Sequence, residues 1–249
     1  MGLFGKMFEK KTCDVCGGEI GLLGNRKLED GNLCKDCAKK LSPFFDDRRH
    51  STVDSIKAQL AYREENKAAV DAFNVTRTLG DATKVLLDED AGKFIVTSAS
   101  KWREENPDVI DFSQVTGCNL DIDENQSEVM RTDKEGNRVS YVPRRYKYSY
   151  QFYIHIHLNA PYFDEIRFRL TNRSIEVESS GNALGGMPSK PADYHTFERM
   201  GNEIVKALTD IRKNVRAANQ PKAAVNCPWC GATTIPDASG RCEYCGGAL

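Results

Sequence analysis

The chain has 249 residues, enough for one substantial hydrophobic core with small accessory modules. Its 40% hydrophobic and 29% charged residues are typical of an ordinary folded protein and argue against the disordered and fibrous classes. The formal net charge of −1 gives no global signal for nucleic acid or membrane, and no run reaches the roughly 18 apolar residues of a transmembrane helix.

The first segment, Met1–Lys11, is too short and too charged for a cleavable signal peptide. As a helix it would place four apolar side chains on one side with lysines flanking them, namely Leu3, Phe4, Met7 and Phe8. That pattern suits shallow insertion into a membrane surface, but about ten residues form only a marginal helix alone. A frayed tail, or one docked on the protein itself, is the competing interpretation.

Residues 12–45 carry the first cysteine module, in which two Cys-x-x-Cys pairs are separated by 17 residues. The pairs are Cys13/Cys16 and Cys34/Cys37. Two such pairs supply the four soft ligands that a tetrahedral zinc ion prefers. Because Cys37 leads into Ala38–Leu41, which resembles a helix start, we expect a treble-clef-like site.

Residues 46–78 are interpreted as a connecting helix. Ser51, with Asp54 three residues later, resembles a capping box. The apolar stripe that follows is narrow and consists of Val53, Ile56 and Leu60, and charged residues dominate from Arg63 to Lys67.

Residues 79–218 change to a period of two, which predicts a β-domain. The strand candidates are Lys84–Asp88, Gly92–Ser98, Ile110–Val115, Cys118–Asp123, Ser127–Thr132, Arg145–Leu158, Glu165–Thr171 and Ser174–Glu178. In Arg145–Leu158 the even positions are apolar and the odd ones polar. After the Gly-rich loop Ser179–Ala192, apolar residues at helical spacing predict a helix from about Asp193 to Arg216. The expected fold is α+β, an antiparallel barrel closed by one C-terminal helix and flanked by two small zinc modules.

Charge is polarised within this β-domain. Glu104–Glu128 contains eight acidic residues and no Lys or Arg, whereas basic residues dominate the following hairpin. The candidate interaction surface on that hairpin consists of Arg131, Arg138, Arg144, Arg145 and Lys147. It could hold an anionic headgroup or an RNA backbone, or it could simply be a solubilising hairpin. His155 and His157 share the polar face of one strand, where a solvated face is favoured over a metal clamp.

Residues 219–226 form a polar linker, and 227–249 carry the second cysteine module with 11 residues between its pairs. The pairs are Cys227/Cys230 and Cys242/Cys245, at spacings typical of a zinc ribbon. Between the two modules Cys118 is the only cysteine, which argues against a disulfide framework and for metal binding in a reducing compartment. Four thiolates leave no open position on zinc, so two structural zinc ions are predicted.

The segment from Cys13-Asp-Val-Cys16-Gly-Gly-Glu-Ile-Gly-Leu22 through Asp30-Gly-Asn-Leu-Cys34-Lys-Asp-Cys37 resembles an uncharacterised bacterial zinc-finger domain found at the N-terminus of many small proteins. The resemblance covers about Thr12–Phe73. The β-domain is similar to bacterial pleckstrin-homology-like domains in strand order and closing helix, and the last module resembles short bacterial zinc ribbons. These resemblances imply zinc binding and adaptor work, and they bring no catalytic residues.

No nucleophile, base and orienting group can be assembled from four scattered histidines, so we expect no enzyme. The preferred hypothesis is a cytoplasmic zinc-binding adaptor or scaffold that acts on a protein partner, with no small-molecule substrate. A nucleic-acid or ribosome-associated zinc protein is the first alternative. A peripheral membrane protein, held at the inner membrane face by its N-terminal tail, is the second.

Overall fold

The computed structural model describes residues 11–179, 188–219, 224–237 and 239–249, without the side chains of 213–219. The predicted tail at 1–10 and residues 180–187 of the Gly-rich loop lie outside these ranges. The chain divides into two compact units, Met1–Arg212 and Lys213–Leu249. None of the described helices is long and apolar enough to cross a membrane.

The elements follow one another in three groups. The N-terminal module and its helix comprise β1 (Lys11–Thr12), β2 (Glu19–Ile20), β3 (Arg26–Lys27), β4 (Asn32–Leu33), α1 (Lys35–Ala38) and α2 (Val53–Ala72). The β-domain comprises β5 (Arg77–Gly80), β6 (Lys84–Asp88), β7 (Lys93–Thr97), β8 (Ile110–Asp111), β9 (Val115–Thr132), β10 (Arg138–Leu158), β11 (Glu165–Arg169), β12 (Ile175–Glu178) and α3 (Ala192–Asn219). The last module contains β13 (Val225–Asn226) and β14 (Thr233–Thr234).

The N-cap of helix α2 is Thr52, one residue later than the predicted Ser51. The backbone N–H of Ser55 donates to Thr52 Oγ1 over 3.2 Å, and the N–H of Val53 donates to Asp30 Oδ1 over 2.8 Å. The second bond ties the helix start to the N-terminal module, because the first helical amides have no partner within the helix.

Strands β5 to β8 form an antiparallel meander whose central strands, β6 and β7, are buried on both faces. Leu86 and Ile95 pack with Phe73 at the end of α2, whereas Leu87 and Phe94 point to the opposite face and are also fully buried. This two-sided burial explains why β6 and β7 are continuous apolar runs without alternation.

Strand β10 is the centre of the second sheet. It pairs with β9 along one edge, and with β11 and β12 along the other. Its even positions from Tyr148 to Leu158 are buried, which agrees with the predicted alternation. Helix α3 covers this face, where the Tyr194 ring lies 4.9 Å from Tyr150 and 5.2 Å from Phe152 between centroids.

The α+β class, with antiparallel sheets and one C-terminal helix, is confirmed, but the predicted closed barrel is wrong. Among the described strands, β5–β8 and β9–β12 form two separate sheets, and β5 pairs only with β6. The reason lies in the hairpin, because Cys118–Asp123 and Ser127–Thr132 belong to one 18-residue strand. That strand follows β10 from Val115 to Thr132 as a single long ribbon, and no described pairing connects it to the meander.

Candidate metal centres

The first cysteine cluster joins a hairpin turn to the start of a short helix. Cys13 and Cys16 lie in the turn between β1 and β2, and Cys34 and Cys37 follow β4 at the start of α1. The backbone N–H of Cys34 donates to Cys13 Sγ over 3.3 Å, and the N–H of Cys37 donates to Cys34 Sγ over 3.4 Å. Amides therefore already point at the sulfurs, as thiolate ligands require.

The second cluster joins two hairpin turns. Cys227 and Cys230 lie between β13 and β14, and Cys242 and Cys245 lie in the turn closed by the bridge between Arg241 and Ala248. Asp237 shapes the connection, since its Oδ1 accepts from the backbone N–H groups of Ser239 and Arg241 over 2.8 and 2.9 Å.

Sulfur separations decide what these clusters can bind. Cys16 and Cys34 are 3.8 Å apart between Sγ atoms, Cys227 and Cys245 3.6 Å, and Cys230 and Cys242 3.7 Å. A zinc–sulfur bond of about 2.3 Å gives a regular tetrahedron with edges of about 3.8 Å. A disulfide would require about 2.05 Å, and all nine cysteines are free thiols. Each of the two four-cysteine clusters can therefore hold one zinc ion, as predicted.

Protonation in the first site is uneven. Burial raises the pKa of the Cys13 thiol, but hydrogen bonds from the backbone of Cys16, Cys34 and Val15 outweigh it and lower the pKa to about 6. Burial and the neighbouring thiols raise the pKa of Cys37. Four adjacent thiolates repel one another, so ionisation of all four cysteines requires a nearby cation, and Zn²⁺ would supply that charge. A zinc ion with four cysteine ligands would have a structural role.

The second site repeats this division. Burial raises the pKa of Cys227, yet hydrogen bonds from the backbone of Cys230 and Trp229 lower it to about 7. The backbone hydrogen bond from Gly247 lowers the pKa of Cys245, but burial and the nearby thiols of Cys227, Cys230 and Cys242 outweigh it and raise the pKa to about 12.

Three of the four Cys-x-x-Cys turns share one backbone hydrogen-bond pattern. In each, the N–H of the first cysteine donates to the carbonyl five residues later, over 2.8, 2.8 and 2.9 Å for Cys13, Cys242 and Cys227. The glycine after the second cysteine donates back to the first cysteine and has a φ of about +70°, as at Gly17, Gly231 and Gly246. The left-handed backbone at this point explains the Cys-x-x-Cys-Gly signature.

The first site also belongs to a hydrophobic core. Cys13 and Cys37 are buried together with Leu28, Leu33 and Ile56, the last of which comes from α2. Gly31 fits closely here, because a Cβ at this position would lie 2.6 Å from Val53 Cγ2. Folding of the N-terminal module and its packing on α2 thus depend on the same residues as metal binding.

The predicted histidine pair lies on the half-exposed face of the second sheet. His155 Nδ1 is 2.7 Å from Glu165 Oε1, and Arg167 Nε donates to His155 Nε2 over 3.0 Å. His157 instead contacts Asn119 Oδ1 over 3.2 Å. Among the residues that the structure describes, only the two four-cysteine sets group three or more potential metal ligands. Cys118 is half-buried opposite Ile156, and burial raises its pKa to about 12.

The predicted basic surface lies at the outer end of the β9–β10 hairpin. Arg131 and Arg145 are both near the Tyr141 ring, with guanidinium carbons 5.9 and 4.5 Å from its centroid. Arg144 Nε is 3.8 Å from Glu128, and Lys147 Nζ is 2.8 Å from Glu176. Arg138 is exposed at the start of β10. The five residues thus lie along one hairpin, from the partner of Thr132 to the partner of Ser127, and Arg144 and Lys147 have acidic neighbours.

A buried polar cluster beside the first site was not foreseen. Arg63 Nη1 donates to Asp108 Oδ1 over 2.7 Å, with the two side chains 7% and 0% exposed. Asn66 Nδ2 donates to the Pro107 carbonyl over 2.7 Å, and Asn106 Nδ2 donates to the Arg63 carbonyl over 2.8 Å. The only trace of this cluster in the sequence is its helical spacing, because the buried face of α2 continues the apolar stripe through polar residues and consists of Ile56, Gln59, Arg63, Asn66 and Val70.

A family model matches the part of the chain that contains the first cysteine cluster. Residues 12–59 match the model of a family described as a domain of unknown function, DUF4428. The match contains the four cysteines of the first site and ends within α2. No curated protein and no solved structure matches the chain. The chain therefore carries two four-cysteine sites that can each hold a zinc ion, and its N-terminal part is similar to the DUF4428 family.

Proposed function

We propose that this chain is a non-enzymatic adaptor whose two zinc ions hold its terminal modules in shape while its β-domain contacts a protein partner. The observation that carries the proposal is the closure of both metal sites. Each groups four cysteine sulfurs within 4.8 Å of one another, so a zinc ion bound by all four would have no free position for a substrate or an activated water. Zinc in such sites stabilises a fold. Binding of a protein partner would therefore involve the surface of the β-domain rather than the metal ions.

The β-domain, with its two antiparallel sheets and its C-terminal helix, offers one distinctive projection. We define the basic hairpin tip as residues 129–147. At its edge β10 has a four-residue bulge between Ser140 and Arg145, where Val142 is 94% exposed. An exposed apolar residue among arginines suits an acidic protein segment with an apolar anchor.

The charge distribution favours such a segment over nucleic acid. Behind the basic hairpin tip, the exposed residues of β9 include Asp121, Asp123 and Glu124. A long phosphate backbone that follows the hairpin would meet these carboxylates, whereas a short acidic segment would contact only the tip. The closed zinc sites also carry negative charge, since four thiolates exceed the charge of Zn²⁺.

Site-specific photo-crosslinking in the native cell tests this proposal. A photoreactive amino acid at Val142 should form a discrete adduct with one protein, and the adduct should disappear when Arg131, Arg138 and Arg145 are changed to Glu. The matched control places the same photoreactive group at Asp90, which is exposed in the turn between β6 and β7. We place the protein in the cytoplasm, where reduced thiols remain available to zinc.

Three results would contradict the proposal in different ways. A nuclease-sensitive adduct from Val142 would point to RNA and to the nucleic-acid alternative. The same adducts from Val142 and Asp90 would mean that the tip is not a recognition surface. A zinc content near zero after exhaustive dialysis, with the fold intact, would remove the structural role of the metal.

A further inference from the structure

Strand β9 leaves one of its edges unpaired among the described residues. It pairs with β10 from Val115 to Thr132 and with no other strand that the structure describes. Residues 123–127, in the middle of this strand, are all exposed. An open edge of this kind presents a row of backbone N–H and C=O groups that can pair with another strand.

Charge is the main protection of this edge against other strands. Proline, lysine and bulges are common devices against edge pairing, but β9 contains no Pro and no Lys. Its register with β10 is unbroken from Cys118 to Val129, and the bulge of the hairpin belongs to β10. Four acidic residues lie along the strand instead, namely Asp121, Asp123, Glu124 and Glu128. The acids therefore decide which strands can pair with this edge.

A second copy of β9 can pair with this edge only in certain registers. Residues directly opposite in an antiparallel pair share one face of the sheet, so a two-fold axis between two copies sets one residue opposite itself. Arg131, the only basic residue of β9, meets an acid when that residue is Gln126 or Ser127. With Gln126 on the axis, Glu124 would also lie opposite Glu128, and like charges directly opposite are destabilising.

With Ser127 on the axis the charges are complementary. Arg131 of each copy lies opposite Asp123 of the other, so two ion pairs can form. Glu128 lies opposite Gln126, whose side-chain amide can donate to the carboxylate. The two neighbouring registers, with Gln126 or Glu128 on the axis, both oppose acidic residues, whereas this register opposes none between residues 122 and 132.

Both members of these ion pairs are accessible to a second chain. The Asp123 side chain is 56% exposed, and its ion pair with Arg167 is long, at 3.9 Å between Oδ2 and Nη2. Arg131 is exposed, and its guanidinium carbon lies 5.9 Å from the centroid of the Tyr141 ring. A separation of 3.9 Å is beyond hydrogen-bond distance, so Asp123 can still accept from a guanidinium group of the second copy.

The pairing ends where β9 ends, at Thr132. The next residue, Asp133, would approach Asp121 of the second copy, but its carboxylate is bound within its own turn. Its Oδ1 accepts from the backbone N–H groups of Glu135 and Asn137 over 2.9 and 2.8 Å. These hydrogen bonds stabilise the charged carboxylate at the end of the strand, which limits the repulsion there.

We propose that two copies of this chain pair through the outer edges of β9, antiparallel about Ser127, with Arg131 of each copy opposite Asp123 of the other. The two four-stranded sheets formed by β9–β12 then continue into each other. Because the paired strands are antiparallel, the two basic hairpin tips extend in opposite directions. Pairing of β9 does not depend on what the tips bind, and Asp123 lies outside the tip.

Charge exchange tests this pairing by analytical ultracentrifugation of the full zinc-loaded chain. The parent should dimerise with increasing concentration, and Asp123→Arg and Arg131→Asp should each weaken the dimer about tenfold, because each variant sets like charges opposite at two places. An equimolar mixture of the two variants should dimerise like the parent, since every Arg then faces an Asp. The matched control is Asp90→Arg in the exposed turn between β6 and β7, which should also dimerise like the parent. Zinc content and thermal stability of every variant report on folding.

Cysteine cross-linking locates the axis. In Ser127→Cys the two new thiols lie directly opposite each other, so oxidised glutathione should convert this variant into a disulfide-linked dimer. In Asn125→Cys they lie opposite Val129 and too far apart for a disulfide, so this variant should behave like the parent. Cross-linking of Asn125→Cys instead would place the axis on Asn125, where no ion pairs form, and would overturn the proposal. A parent that stays monomeric at every concentration would show that the chain itself or a different protein covers this edge, and would overturn it as well.

Discussion

The Arg63 guanidinium donates to the Asp108 carboxylate over 2.7 Å, and together they link three parts of the first unit. Arg63 belongs to α2, Asp108 precedes β8, and Ser42 Oγ, which follows the first zinc site, donates to the other Asp108 oxygen over 2.8 Å. Burial raises the pKa of Asp108, although Arg63 and Ser42 act to lower it. The N-terminal module and the β-domain are therefore joined through a charged contact that is removed from water.

Removal of the Asp108 charge should destabilise the protein strongly. Asp108→Asn leaves the Arg63 guanidinium buried without its counter-charge, and breaking a buried pair in this way costs about 3 kcal/mol. Urea unfolding of the zinc-loaded chain measures the change. Glu105→Gln, an exposed acid three residues away, is the matched control and should change the free energy of unfolding by less than about 0.5 kcal/mol.

A second variant shows whether the effect comes from the unpaired charge. Arg63→Met/Asp108→Leu replaces both charged groups with apolar ones and should recover most of the stability that Asp108→Asn loses, because no ion then needs desolvation. If Asp108→Asn unfolds at the same urea concentration as the parent, the pair does not join the two parts as described.

The metal sites could be predicted because their information is local. Spacing within Cys-x-x-Cys-Gly sets the turn, and the turn sets the direction of both sulfurs, so distant contacts are not needed. The alternation in β10 was also readable, since one face of Tyr148–Leu158 is buried and the other is not. In β10 the two-residue period of the sequence matches the two-residue period with which side chains alternate between the faces of a strand.

The polar contacts of α2 could not be predicted in the same way. Arg63 and Asn66 resemble a solvated helix face, and Asp108 resembles part of an acidic edge, until the fold brings them together from 45 residues apart. The barrel prediction was wrong for a related reason, because alternation identifies strands such as β10 and β11 but does not identify the strands with which they pair. Partner choice depends on contacts distant in sequence.

Zinc stoichiometry should distinguish ligand cysteines from the ninth cysteine. The parent should retain two zinc ions after dialysis, Cys16→Ser one, and Cys118→Ser two, because Cys118 lies outside both clusters. Elemental analysis counts the metal, and cobalt substitution reports sulfur coordination by its charge-transfer absorption. A Cys118→Ser variant that loses one equivalent would assign the ligands differently.

Gly17 should be required for its backbone conformation and not because neighbouring atoms leave no room for a side chain. A Cβ at Gly17 meets nothing within 4 Å, but the φ of +73° is unfavourable for other residues. Gly17→Ala should cost about 1 kcal/mol, which corresponds to roughly fivefold weaker zinc binding at the first site in a chelator competition. Gly21→Ala is the matched control, because a Cβ there also meets open space and no positive φ is required. Equal zinc affinity for the two variants would mean that the turn adapts without strain.

The contact between Gly201 of α3 and Leu120 of β9 should limit how closely the helix covers the sheet. A Cβ at Gly201 would lie 2.6 Å from Leu120 Cδ1, so Gly201→Val should destabilise the first unit by about 1–3 kcal/mol through overpacking. Asn202→Val places the same side chain at an exposed position of the helix and controls for helix propensity. In Gly201→Val/Leu120→Ala the shortened partner makes room, so the two costs should be clearly less than additive in thermal unfolding. Strictly additive changes in stability would show that the added side chain is accommodated without any effect of Leu120. Gly201 would then not determine the distance between α3 and β9.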